Sequence, residues 1–271
     1  MTTALLAVGG ALLGVLVVGP AISHATTRWL GWRVTLPLLL GRVPARSELG
    51  HARARCAACG ADLAPAGLPL RPAALWGWRC PGCRTRLPRW TAAVEIVTGG
   101  LFALCAAVVG PEVVLPAVLA FAAGMVATSV VDLAVMRIPT RFVYVTAGAT
   151  LAGLVIAGLV DGTGRRLAGA ALGAAIYGGL LLVMHLISPR MLGFGDVRLA
   201  TVVGMTVGWS GWRADHPVFT PVQAVLNACL LAALLGTVAG LVLIGLRGRD
   251  RPFPFGPAIA AGGLVMVLSL V

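Results

Sequence analysis

Charge is what this chain of 271 residues has least of: Asp, Glu, Lys and Arg together make up 11% of it, against 59% hydrophobic residues. A soluble domain carries roughly 25% charged residues, so the composition excludes one and requires a membrane protein with several spans. The mean hydropathy of +0.95 agrees. Lysine is missing altogether, all 21 basic residues being Arg. That absence has no topological consequence, because both cations serve the positive-inside rule. The first apolar run also lacks a basic segment before it and a small-residue cleavage site with a polar flank after it. It is therefore expected to persist as a helix rather than leave as a signal peptide. Ser23, His24 and Ser188 have no matching triad, which argues against serine-protease chemistry.

What the chain does have is a succession of apolar runs, at roughly 4–22, 92–109, 113–136, 142–160, 167–187, 191–209, 222–246 and 256–271. Runs of about 20 apolar residues can each cross a bilayer as a helix. The expected fold class is all-α, a polytopic membrane helical bundle of about eight spans with a small cytoplasmic insertion. The expected parts are a first transmembrane helix (1–22), the insertion (23–91) and a helical membrane domain (92–271). With an outward N-terminus, 18 Arg fall on the cytoplasmic side and only Arg165, Arg166 and Arg213 outside, as the positive-inside rule requires. The net charge of +12 thus reports topology rather than a nucleic-acid partner, and none is expected. Trp76, Trp78 and Trp90 are read as interfacial anchors of the insertion on the lipid bilayer.

The insertion holds four of the six cysteines. Cys56-Ala57-Ala58-Cys59 and Cys80-Pro81-Gly82-Cys83 are separated by 20 residues, a spacing that lets four thiolates meet one tetrahedral zinc. A cytoplasmic loop does not favour the alternative, two disulfides. Four protein ligands leave no open position, so the zinc is expected to be structural. Cys105 and Cys229 lie singly in apolar runs and are read as packing residues.

Two aspartates interrupt the apolar pattern. Asp132 precedes Arg137 by five residues on a run descending to the cytoplasm, and Asp196 follows Arg190 by six on a run rising from it. At 1.5 Å per helical residue, each carboxylate lies about 7–9 Å inside its nearest arginine, at matched depth. A carboxylate near the bilayer centre costs about 2.5–3.5 kcal/mol, which marks an intramembrane Asp as a functional candidate. Two at one level can share a proton and act as a general acid–base pair. The glycines of Gly193-Phe194-Gly195-Asp196 allow a non-helical turn and a close backbone approach there. The structural alternative is an ion pair of either Asp with Arg137 or Arg198. The alternative from another class is a transporter coupling protons or cations through Asp132 and Asp196; inverted repeats would favour it, and none is seen. His185 and Tyr177, eight residues apart on one run, are read as packed or interfacial side chains.

These segments resemble the type IV prepilin peptidases, membrane aspartyl proteases of the GxGD class. Gly193–Leu199 is similar to that family's Gly-x-Gly-Asp-x-Lys-Leu, with Arg198 in place of Lys. Asp132–Pro139 is similar to its first aspartate segment, which commonly ends Ile-Pro-Asn; Thr140 stands in place of that Asn. Pro254-Phe255-Gly256-Pro257 resembles its closing signature, and the Cys-x-x-Cys pairs followed by Val94–Gly99 complete the order. The resemblance implies a bacterial plasma-membrane protease that removes the basic leader of type IV pilin-like precursors at the cytoplasmic face, with Asp132 and Asp196 catalytic. Many long members also methylate the new N-terminus with S-adenosylmethionine. The family's motif at the end of the first span is poorly matched by Gly19–His24, so a peptidase alone and a peptidase with methyltransferase both stay open. Glu95 is the candidate proton acceptor for methyl transfer, a structural ion pair with Arg89 being its alternative.

Overall fold

The computed structural model describes residues 2–30, 59, 79, 82–84, 90–189, 192–247 and 253–271. Its elements are helices: α1 (Thr2–Leu13), a π-helical segment (Gly14–Val18), α2 (Gly19–Leu30), α3 (Trp90–Val109), α4 (Leu115–Val135), α5 (Thr140–Val160), α6 (Arg166–Ile187), α7 (Phe194–Gly211), α8 (Phe219–Arg247) and α9 (Gly256–Leu270). Among the described residues six helical segments are long and apolar enough to cross a membrane: Thr2–Ser23, Thr91–Val109, Leu115–Val135, Thr140–Val160, Arg166–Ile187 and Phe219–Gly245. The segments of the other two expected spans are helical, as α7 and α9, but fall short of that standard, so the described residues bear out six of the eight. α9 has only 15 residues. α7 carries Asp196, Arg198 and four glycines beyond its cap, and most of its length is buried by other helices rather than turned to lipid. A helix surrounded by protein need not be apolar enough for hydrocarbon, so a hydropathy standard alone passes over α7.

The chain divides into two compact units, Met1–Ala107 with Leu133–Met136, and Val108–Asp132 with Arg137–Val271. In the first, α1 and α2 run against α3 along a stripe of small residues. A Cβ added at Gly10 would lie 2.7 Å from Phe102 O, at Gly14 2.6 Å from Gly99 Cα, and at Gly19 2.7 Å from Glu95 Cα. Ser23 Oγ continues the stripe by donating to Thr91 O at 3.3 Å. The spacings along the stripe are four, five and four residues. A regular α-helix would rotate the five-residue step off the face. The π-helical turn absorbs that extra residue, with Gly19 N–H bonded to Gly14 O, and keeps all four small residues toward α3.

In the second unit α7 is the central helix. α6 meets it through Gly169 and Gly173, which face Gly208 and Gly204 backbone to backbone; any side chain at Gly173 would collide with Gly204 O. Membrane helices associate through such close approach, since lipid offers no hydrophobic drive between them. Trp209 of α7 is 2% exposed and packs with Ala117, Leu154, Ala157 and Ala170 from α4, α5 and α6. On the other side Gly263 of α9 lies against Val203 of α7, and Gly262 against Ala228 and Ala232 of α8. This cage holds α7, whose first turn carries Asp196.

Candidate active site

Each aspartate carboxylate is held by the start of a helix. α4 carries Asp132 one turn before its end and stops where Met136 takes a left-handed conformation (φ 52°). Pro139, extended at ψ 123°, then caps α5. Asp132 is 4% exposed, and its Oδ2 accepts the N–H of Gly256, the first residue of α9, at 2.9 Å. Asp196 is the third residue of α7, and its Oδ2 accepts the N–H of Gly193, that helix's cap, at 3.1 Å. The first N–H groups of a helix have no partner inside it and carry the positive end of its dipole. Two helix starts therefore supply a matched donor to each carboxylate.

Ile138 is the wedge between the two helix starts. A Cβ on Gly195 would lie 2.9 Å from Ile138 Cβ, and one on Gly256 would lie 2.7 Å from Asp132 Oδ2 and 3.2 Å from Ile138 Cδ1. Gly193 is extended (φ −72°, ψ 147°), and the helix begins at once with Phe194. The expected non-helical turn thus ends one residue into the motif, and Asp196 is helical. Gly256 is the site residue that sequence reasoning missed. It stood in the Pro-Phe-Gly-Pro signature, yet nothing in the pattern linked it to Asp132 across 124 residues.

Neither arginine neutralises the pair. Arg198 Nη1 donates to Thr140 Oγ1 at 2.6 Å, and its guanidinium lies over the Phe194 ring at 4.5 Å. Among the described residues no ion pair joins Asp132 or Asp196 to Arg137 or Arg198. His185 Nδ1 meets Leu192 O at 2.7 Å and its ring packs on Phe194, while Tyr177 is 1% exposed. Both are packed against protein, in keeping with the packed or interfacial side chains expected of them.

These features have counterparts in known proteins. Residues 119–241 match the type IV leader peptidase family, and residues 32–109 match the bacterial peptidase A24 N-terminal domain. A prepilin leader peptidase/N-methyltransferase of Burkholderia pseudomallei is 32% identical over 231 residues, covering 82% of this chain and 68% of the relative. One from Bacillus subtilis is 30% identical over 84% of this chain and 86% of its own length. The chain belongs to the type IV leader peptidase family. A third relative of the same name, from Pseudomonas aeruginosa, is 26% identical over 79% of the chain. No solved structure matches the chain. The protein is accordingly a membrane protease of the prepilin peptidase kind, and the transporter alternative is not favoured.

Glu95 lies in the other unit, fully buried at 0% exposure, with its backbone and Cγ against Gly19 just past the π-helical turn. Of the four expected zinc ligands, Cys56 and Cys80 lie outside the described residues, while Cys59 and Cys83 are described and exposed. Among the described residues no group of three or more His, Cys, Asp or Glu could hold a metal.

Proposed function

We propose that this peptidase removes the leader of type IV pilin-like precursors at the cytoplasmic face of the bacterial plasma membrane, with Asp132 and Asp196 as its catalytic dyad. The observation that carries the reading is the placing of two carboxylates at neighbouring helix starts that share Ile138, each held through Oδ2 by the N–H of a helix start. Fixing Oδ2 of each leaves the Oδ1 atoms for chemistry. The dyad works with one proton between its members. The ionised carboxylate takes a proton from water, whose oxygen adds to the scissile carbonyl carbon. The protonated one supports the carbonyl oxygen and then protonates the departing nitrogen as the C–N bond breaks. Gly193, as the extended cap, and Phe194 and Gly195, as the first two residues of α7, present Asp196. The side of the membrane follows from the Arg distribution. Incubating the purified protein in detergent with a pilin precursor should yield the leader and the shortened pilin by mass spectrometry. Precursor that stays intact would overturn the reading.

A second activity is supported by the relatives' names, which include N-methyltransferase, and by the burial of Glu95. Glu95 takes the proton that the new N-terminal amine loses as it gains a methyl group from S-adenosylmethionine. In the same assay, Glu95→Gln is expected to abolish the mass gain of one methyl group and to leave cleavage intact. Methylated product from that variant would remove Glu95 from the mechanism.

The insertion holds a structural zinc through Cys56, Cys59, Cys80 and Cys83, a reading that rests on the two Cys-x-x-Cys pairs and the reducing compartment. Elemental analysis should find about one zinc per chain, lost in Cys80→Ser. Metal-free protein with intact disulfides would refute it.

A further inference from the structure

We propose that Arg198 and Thr140 form a length-matched latch that positions Asp196 against the segment following Asp132. The proposal rests on the dyad reading above. Arg198 stands two residues beyond Asp196 on the same helix start, and its Nη1 reaches the Thr140 hydroxyl at 2.6 Å, across 58 residues of chain. Thr140 opens α5 directly after the Arg137–Pro139 segment, and the start of α5 is itself held by Phe142 and Val143 N–H groups bonding Pro139 O. The latch therefore closes a ring. Asp132 leads through Ile138 to Thr140, Thr140 is bonded to Arg198, and Arg198 leads back to Asp196, while Ile138 fills the gap beside Gly195 and Gly256.

The latch also decides what the cation beside the dyad does. A guanidinium two residues from Asp196 could pair with either carboxylate and hold it ionised, which would remove the proton the dyad must exchange. Here it is turned away. Its hydrogen bond goes to a neutral hydroxyl, and its faces lie over Phe194 at 4.5 Å and Tyr144 at 5.8 Å. Phe194 is braced in turn by His185, at 5.5 Å between ring centroids. A planar guanidinium can satisfy rings and hydroxyl together, which a compact ammonium does less well.

Side-chain length makes the pair testable. Thr reaches one bond less far than Asn, and Arg one bond farther than Lys. Replacing both at once therefore preserves the total span between the two backbones. Arg198→Lys alone leaves the donor one bond short of the hydroxyl. Thr140→Asn alone leaves one bond in excess, which a long Arg side chain can absorb by bending.

The test measures kcat and KM for leader removal, with thermal unfolding in detergent, in R198K, T140N and the double variant. We expect R198K to lower kcat by about ten-fold or more with little change in KM, the size that a sub-ångström displacement of a catalytic group produces. The double variant should recover most of that loss, with all unfolding midpoints close to one another. Recovery together with an unmoved KM supports a positioning role. A double variant as slow as R198K, or an R198K protein as fast as the wild type, would overturn the latch. A kcat loss that tracks a fall in unfolding midpoint would overturn positioning in favour of mere folding support. If the wild-type protein cleaves nothing, the proposed function fails instead. The latch is then judged on thermal unfolding alone, where coupled effects of the two substitutions support it and additive ones overturn it.

Discussion

Asp132→Asn and Asp196→Asn are each expected to abolish leader removal, lowering kcat by at least the 10²–10⁴-fold that a positioned acid or base contributes. The choice of Asn separates chemistry from architecture. Asn keeps a carbonyl oxygen in place of Oδ2, so each variant can still accept the N–H of Gly256 or Gly193 that now fixes its carboxylate. Helix starts and packing should therefore survive, and membrane insertion and unfolding should match the wild type. What Asn cannot do is take up or give a proton. The two losses should not add, because a dyad with one member is already inactive and the second removal takes nothing further. Single-turnover cleavage of a pilin precursor is the decisive measurement. Wild-type turnover in either variant would sink the assignment, and so would a double variant much slower than both singles.

Much of this site was legible in the chain because the membrane makes polar residues conspicuous. A carboxylate in an apolar run has a solvation cost that only function or pairing offsets, so Asp132 and Asp196 stood out by chemistry alone. The glycines flanking Phe194 pointed to room beside the backbone, and at Gly195 that room is taken by the Ile138 side chain. The chain did not reveal what each carboxylate bonds to. Gly256 and Asp132 are 124 residues apart, and a backbone N–H leaves no side-chain signal at the position that donates it. Arg198 was equally ambiguous. Its reach allowed a partner in either aspartate, and only the placement of Thr140 and Phe194 shows that the guanidinium goes elsewhere.

The same limit explains the span count. Hydropathy measures compatibility with lipid, and it found the six helices that meet that standard. α9 is apolar but only 15 residues long, and α7 is held by a different rule. α7 is a glycine-rich rod enclosed by α6, α8 and α9, so its fitness lies in shape rather than oiliness. The five-residue step from Gly14 to Gly19 was similarly silent as a pattern. Its meaning depends on a π-helical turn that periodicity arguments do not contain.

Gly256→Ala should be nearly as damaging to cleavage as loss of a carboxylate, from a change of one methyl group. The N–H of Gly256 is among the donors at the start of α9 that have no intrahelical partner, and Asp132 Oδ2 satisfies it at 2.9 Å. A methyl group at that position would sit 2.7 Å from the same oxygen and 3.2 Å from Ile138 Cδ1. Something must move. Asp132 is buried on a short side chain, and Ile138 is wedged against Gly195, so neither can yield without shifting the carboxylate relative to its partner. A displacement near 1 Å costs a catalytic geometry about 100-fold, and we expect kcat to fall by roughly that factor. Substrate binding depends on other surfaces, so KM should change little. The clash also costs stability, and the roughly 1 kcal/mol by which Ala outranks Gly inside a helix does not fully offset it at a helix start, so the unfolding midpoint should fall modestly while turnover falls about 100-fold. A loss of turnover far larger than the loss of stability is the diagnostic. If Gly256→Ala cleaves at the wild-type rate, the backbone bond to Asp132 is dispensable, and the start of α9 merely adjoins the dyad instead of setting it.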